Sequence, residues 1–396
     1  SFQPITVLKS IFRIGSGNIS FRKILVTAQF AISIILIIGT AVIFKQMSFM
    51  QNTSLGFDKE HIVNLPYTPA LNGRFEAFRN ELLSVATIKN AGRSSRIPTG
   101  RLLDSMGARI TRGDSLQPAN ADVKFVAADQ DFTSTYGIKI VAGRGFSSDF
   151  TTDTSAFLIN EVAVKVLGFK SNDDAIGQNF GYGPRRGKLT GVFHDFHFES
   201  MHQAIVPLVL IVPRDQGSYG NISIKISGTG IPAALAHIEK TWKKFLPETP
   251  YQYNFLDENF QRLYQSEQRQ ATLFTVFACI AIFIACLGLF GLSAFAISQR
   301  VKEIGIRKVL GANITSIVSL LSKDFLKLVL IAAVIAFPVA WYFMNLWLQD
   351  FAYRINMPWG IFIIAAILAA VVALGTISIQ AIKAALSNPV KSLRTE

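Results

Sequence analysis

Four stretches of this chain carry almost no charge over about twenty residues or more, the length of a membrane span. They are Ile24–Phe44, Ala271–Ile297, Phe325–Leu348 and Trp359–Ile382. A helix rises about 1.5 Å per residue, so each one reaches across a hydrocarbon core of about 30 Å. One such run can be a buried helix of a soluble protein. Four in a chain of 396 residues, half of them hydrophobic, read as a polytopic α-helical membrane protein with four transmembrane helices. The second run is free of charge throughout, while the third has Lys327 near its start and Pro338 inside it.

The net charge of +13 is distributed unevenly. Between Gln46 and Gln270 there are 24 basic and 22 acidic residues, which leaves 15 basic and four acidic residues for the rest. The excess borders the apolar runs: Lys9, Arg13, Arg22 and Lys23 before the first, Arg300, Lys302, Arg307, Lys308 and Lys323 between the second and third, and Lys383, Lys391 and Arg394 after the fourth. The opposite ends hold only Lys45 and Arg354. This is a topology signal, not the continuous basic surface that nucleic acid requires, so no nucleic-acid partner is expected. The positive-inside rule places both termini and the loop after the second span in the cytoplasm.

The order is then a cytoplasmic segment (residues 1–23), span one (24–45), an outer segment with stalk helices (46–270), span two (271–298), a cytoplasmic loop (299–323), span three (324–348), an outer turn (349–358), span four (359–383) and a cytoplasmic tail (384–396). Trp347, Tyr353 and Trp359 cluster at the outer turn, where an aromatic belt is expected. Cys279 and Cys286 lie seven residues apart in span two, too far along one helix for a disulfide. The chain starts at Ser1 without a signal-peptide pattern, and "SFQPITVLKS" at its start echoes "LSNPVKSLRT" at its end. Both features suggest a piece of a longer, duplicated protein.

The outer segment reads as a large α+β domain. Strands are expected at Ile62–Leu65, Met106–Ile110, Val123–Ala127, Lys139–Val141, Leu189–Phe193, Leu208–Val212, Ile222–Ile226 and Tyr251–Leu256. Helices are expected at Phe75–Val85 and Pro232–Phe245, and "SAFLINEVAVKVLG" passes from strand to helix near Asn160 and stops at Gly168. Apolar spacing through Phe44, Met47 and Met50, and through Leu256, Phe260, Leu263 and Tyr264, predicts helices that join the domain to spans one and two as continuous rods.

Little in the chain suggests chemistry. "GYGPRRGKLTG" has three residues between Gly183 and Gly187, not the four of a phosphate loop, and it precedes a strand; it reads as a hairpin connection. "VFHDFHFESMH" gathers His194, Asp195, His197 and His202. A strand over Leu189–Phe198 would put His194 and His197 on opposite faces, against a zinc site. No Asp, Glu or Arg lies well inside a span, which argues against ion-coupled transport. Ala281, Ala285, Gly288 and Gly291 read as a small-residue stripe for helix packing.

One motif resists the bland reading. "RVKEIGIRKVLGA" runs from Arg300 to Ala312 in the cytoplasmic loop. Arg300, Glu303 and Arg307 are spaced so that Glu303 can pair with both arginines on one helix face. Gly311 can end that helix and Asn313 can cap a second, with Ile314, Ile317 and Leu321 forming an apolar stripe at the membrane surface. Two short helices with an elbow form a docking surface, with Gly305 admitting close approach and Ile304 or Ile306 as anchor.

The same motif matches R-x-x-E-I-G-x-R-K-x-x-G-A, the signature of the FtsX/MacB-like permease family of ABC transporters, which this chain resembles over nearly its whole length. "GIKIVAGRGF", "LINEVAVKVLG", "AIG", "VFHDFHF" and "NPVKSLRTE" follow in the family's order. The resemblance implies a MacB-like periplasmic core domain between spans one and two, and an FtsX-like permease domain over residues 271–390. It implies a bacterial inner-membrane location, with residues 46–270 periplasmic. The implied function is a non-enzymatic permease subunit of an exporter or mechanotransmission complex. The resemblance further implies that ATP is bound by a separate cytoplasmic ABC ATPase and no cofactor by this chain, and that the other partners are membrane lipid and either a homologous upstream half or a second permease. By the same resemblance the loop residues Arg300, Lys302, Glu303, Ile304, Gly305, Ile306, Arg307, Lys308, Gly311 and Ala312 are expected to receive the ATPase, and the cargo is expected to be a peptide, lipid, lipoprotein or drug. The alternative is a membrane sensor or scaffold that controls a kinase or cell-wall hydrolase without transport.

Overall fold

The computed structural model describes residues 14–386, apart from 113–114, 301–302, 304–305, 308–309 and 311–312. The chain divides into two compact units: residues up to Gln51 together with those from Ser266 onward, and Asn52–Gln265 between them.

The first unit is built on four long helices: α1 (Ile14–Asn52), α8 (Gln265–Gln299), α9 (Ile314–Gln349) and α10 (Trp359–Leu386). All four are long and apolar enough to cross a membrane. In lipid there is no hydrophobic drive between helices, so small side chains that let backbones approach do much of the packing. Ala332, Ala336 and Ala340 of α9 and Ala365, Ala369 and Ala373 of α10 are buried in one core with Val26, Phe30, Ile34, Ile38 and Val42 of α1. The bulky residues point outward instead, among them Phe277, Phe283 and Leu287 of α8 and Ile363, Ile364 and Ile367 of α10. Such an apolar exterior suits acyl chains and not water.

The small-residue stripe of α8 is used in part. Ala285 is fully buried, and a Cβ on Gly288 would lie 2.7 Å from Gln29 Oε1 and 3.4 Å from Val26 Cγ2 on α1. Gly291 is exposed and its Cβ position meets nothing within 4 Å, so the predicted stripe stops short of it. Ala281 is only half-buried.

One polar contact in this unit left no trace in the periodicity. Gln46 of α1 is wholly buried; its Nε2 donates to Tyr353 O (2.9 Å) and its Oε1 accepts from Ile355 N (3.0 Å). It thereby ties α1 to the turn between α9 and α10. Gln46→Leu deprives both backbone groups of this partner, at a cost of about 1–3 kcal/mol. A thermal-denaturation series on the detergent-solubilised chain should show a melting point several degrees lower; an unchanged midpoint would refute the tie.

The second unit holds two sheets. The smaller is antiparallel, ordered β12-β1-β11-β2, from β1 (Ile62–Pro66), β2 (Ile88–Ser94), β11 (Asn221–Ile226) and β12 (Asn254–Phe255). Helices α2 (Phe75–Leu82) and α6 (Ile231–Phe245) bury Phe75, Phe78, Leu82, Ile238 and Trp242 in one core with it. The larger sheet is mixed, ordered β4-β3-β8-β9-β7-β10-β5 with β6 also on β9. Its strands are β3 (Ala108–Arg112), β4 (Ser115–Pro118), β5 (Lys124–Ala127), β6 (Ile140–Gly143), β7 (Ala156–Asn160), β8 (Asn179–Tyr182), β9 (Arg185–Phe193) and β10 (Leu208–Ile211).

Local chemistry explains the clearest element. Asn160 leaves β7 with extended backbone, and its Oδ1 accepts from Ala163 N (3.0 Å), capping α4 (Glu161–Leu167). Gly168 ends α4 at φ +85°, a left-handed conformation that costs glycine little. "GYGPRRGKLTG" is the β8–β9 hairpin, as read.

Three expectations need correction. The rod expected before span two is interrupted: α7 (Leu256–Leu263) ends at Tyr264, whose φ −112° and ψ 16° are not helical, and α8 begins at Gln265. On the other rod, Met47 and Met50 are buried but Phe44 is exposed. Strand β9 ends at Phe193, so alternation does not separate His194 from His197. Instead His194 Nδ1 lies 2.7 Å from Glu161 Oε2, and Asp195 Oδ1 accepts from Val162 N (3.0 Å), a network at the start of α4. His197 is buried and its backbone N–H donates to Leu55 O.

Candidate coupling surface

The residues singled out after span two lie between α8 and α9. Helix α8 runs to Gln299, and Arg300 N–H donates to Ile297 O (3.0 Å). Helical geometry returns at Glu303, Ile306 and Arg307, and Leu310 N–H donates to Ile306 O (3.0 Å). Lys302, Ile304, Gly305, Lys308, Gly311 and Ala312 lie outside the described residues.

Sequence spacing let Glu303 serve both arginines, but the structure divides them. Arg307 Nη2 lies 2.9 Å from Glu303 Oε1, while Arg300 Nη2 lies 3.4 Å from Asp324 Oδ2 on α9. The acid that Arg300 meets is 24 positions along the chain, beyond the reach of any helical-spacing argument. Asn313 stands at the start of α9 with extended backbone but makes no side-chain cap bond. The second short helix is absent as a separate element, because α9 continues from Ile314 through span three to Gln349. An apolar run that starts at the membrane surface and continues into the bilayer has no reason to break.

All four charged groups are substantially exposed. Solvated pairs of this kind contribute about 0.2–1 kcal/mol and hold nothing in place. They can therefore exchange partners at little cost. Between and beside them stand two large apolar side chains that a solvated loop would not select: Ile306 is 53% exposed and Leu310 is 80% exposed, one helical turn apart. Leu310 was missed from sequence because it follows the charged core of the motif. A cavity of about 120 Å³ lies nearby, lined by Arg22, Lys23, Phe295, Arg300, Asp324 and Phe325, with the Arg22 guanidinium 5.3 Å from the Phe295 ring centroid. Among the described residues no cluster of three His, Cys, Asp or Glu side chains could hold a metal ion.

Residues 275–389 match the family described as FtsX-like permease C-terminal. The chain is 26% identical over 202 residues to the macrolide export ATP-binding/permease protein MacB of Bartonella quintana, covering 48% of this chain and 30% of that one. It is 24% identical over 225 residues to MacB of Sodalis glossinidius, covering 53% and 34%. The matched stretch thus spans about a third of the length of these relatives. Among solved structures, the periplasmic region of MacB from Actinobacillus actinomycetemcomitans aligns with TM-score 0.36 and 15% identity, covering 52% of this chain and 94% of that one. The extracellular domain of the transporter YknZ aligns with TM-score 0.33 and 16% identity, covering 49% and 96%. The chain thus joins four helices long and apolar enough to cross a membrane, an α+β unit inserted between the first and second of them, and a match to the FtsX-like permease C-terminal family that runs over the last three.

Proposed function

We propose that this chain is the permease subunit of an ABC-type export or mechanotransmission system, and that it receives the movements of a cytoplasmic ABC ATPase at Arg300–Leu310. The observation that carries the reading is the pair Ile306 and Leu310, exposed beside the Glu303–Arg307 and Arg300–Asp324 pairs. Two apolar anchors ringed by exchangeable charges are what a protein partner buries at the centre of an interface. ATP is bound by that partner. The Asn52–Gln265 unit lies on the periplasmic side, as the Lys/Arg asymmetry supports. Helix α8 begins where that unit ends and runs to Gln299 without interruption, so displacement at Arg300 is passed along a single helix. The cargo class is a peptide, lipid, lipoprotein or drug handled from the outer side. The exposed apolar face of α8 meets lipid or a second permease half.

A photo-crosslinking amino acid at Leu310 should capture an ABC ATPase in cells, identified by mass spectrometry. Glu303→Lys with Ile306→Asp, in the full chain in nanodiscs, should weaken binding and stimulation of that ATPase by roughly ten- to a hundred-fold, as expected for lost anchors and a reversed charge. Membrane abundance should be unchanged. Capture of a kinase or hydrolase instead, or stimulation that survives both substitutions, would favour the scaffold reading.

A further inference from the structure

Within the Asn52–Gln265 unit a cleft of about 510 Å³ opens, a size typical of sites for small molecules. Its apolar wall includes Met106, Phe125 and Ile211. Two arginines also line it, Arg96 and Arg185. Arg96 is matched: its Nη2 lies 2.6 Å from Asp104 Oδ2, and its Nη1 donates to Arg101 O (3.1 Å). Arg185 is not. It is half-buried at the start of β9, its Nη1 donates to Val212 O (2.6 Å), and among the described residues no carboxylate lies within ion-pair distance. The charge that acts on it most strongly is another cation, Arg214. Burial, reinforced by Arg214, presses the Arg185 guanidinium below its usual range, yet an arginine side chain stays charged in a protein. A desolvated cation without a counter-ion is costly, and such a group is retained most readily where an anion arrives to meet it.

We infer that this cleft binds a small single-headed amphipathic anion, with its carboxylate or phosphate head on Arg185 and its apolar body along Met106, Phe125 and Ile211. Arg185 has donors left for a bidentate contact once Nη1 is committed to Val212 O. The Arg96–Asp104 pair, which also lines the cleft, is exchangeable: Asp104 is exposed, so an arriving anion can take over part of the Arg96 fork without stranding a buried carboxylate. The apolar wall sets the second requirement, a hydrocarbon body, which a bare inorganic anion lacks. The inference does not depend on ATPase coupling, since binding is read without nucleotide.

The test uses the full chain in nanodiscs and two diazirine probes of equal length, a decanoic acid and the corresponding alcohol, with adducts mapped by mass spectrometry. The acid should label peptides that contain Met106, Phe125 or Ile211 roughly ten-fold more than the alcohol does, the scale of a charge-assisted bond. Decanoate should compete for that labelling, and inorganic phosphate should not. Arg185→Gln should reduce it to the level of the alcohol probe, and Arg185→Lys should retain most of it. Should Arg185→Gln fail to accumulate, Ser218→Glu, on the wall of the same cleft, supplies an internal carboxylate and should produce the same loss. Equal labelling by acid and alcohol, labelling that persists in Arg185→Gln or in Ser218→Glu, or displacement by phosphate alone would overturn the assignment.

Discussion

Replacing Asp129 by alanine should destabilise the Asn52–Gln265 unit by about 3–5 kcal/mol, the loss expected when one member of a buried ion pair is removed and the other is left behind. Asp129 is almost wholly buried, and its Oδ2 accepts from both the backbone N–H (2.7 Å) and the side-chain Nε (3.3 Å) of Arg93 on β2. Its Oδ1 accepts from Asp131 N (3.1 Å). The Arg93 guanidinium is also enclosed by aromatic rings, with centroids at 3.9 Å for Phe75 and 4.4 Å for Tyr219. Without Asp129 that cation keeps its rings and the longer contact from Nη2 to the exposed Glu76 (4.0 Å), but loses its one buried counter-charge among the described residues. Asp131 would remain bound to Arg79 (2.8 Å) and could not move to Arg93 without leaving Arg79 behind. Pulse proteolysis in urea on the full chain in nanodiscs measures the loss. The double substitution Asp129→Ala with Arg93→Met should recover a substantial part of it, because no charge is then stranded. A single-mutant loss below about 1 kcal/mol, or no recovery in the double, would show that the pair is not the source of stability.

Gly187→Val should be more disruptive to assembly of the large sheet than its small change in volume suggests. Gly187 lies on β9 beside the entry to β7, and a Cβ there would fall 1.6 Å from Ser155 O. The obstacle is a backbone carbonyl and not a flexible side chain, so no rotamer relieves it. Strands β7 and β9 pair in parallel at the centre of the larger sheet, with Ile159 opposite Val192, and would have to separate. Overpacking in a close-packed interior costs about 1–3 kcal/mol and more where the neighbour is fixed. The variant should be degraded or recovered in a protease-sensitive form. Gly145→Ala is the control, since its Cβ would meet its nearest neighbours only at ordinary contact distances, 3.8–3.9 Å. If both variants accumulate equally, the close approach at Gly187 does not matter.

The Asp129–Arg93 site shows where reading by pattern fails. Strand β2 (Ile88–Ser94, "IKNAGRS") carried no strand signal, because its burial is achieved by Gly92 and by Arg93 in its charge-and-ring enclosure, not by alternating apolar side chains. Strand β4 ("SLQP") was passed over as well, since an edge strand needs little apolar surface. By contrast, "SAFLINEVAVKVLG" was legible to the residue, because its cap, its period and its terminating glycine act within a few residues of one another.

The candidate coupling surface divides in the same way. Charge spacing marked Glu303 and Arg307 as a pair, and they are one. The partner of Arg300 is Asp324, and the exposed anchor Leu310 lies beyond the charged stretch. From sequence alone came the four spans, the insertion between the first two and the family signature after the second, because hydropathy, Lys/Arg bias and local motifs are properties of short windows. Tertiary structure alone decided which strands neighbour which, that Gln46 closes the turn at Tyr353 and Ile355, that α7 stops before α8, and that Arg185 lines a cleft with no carboxylate paired to it among the described residues. Each of these depends on groups brought together from distant positions, and their pairing is set by packing and desolvation, which no local period encodes.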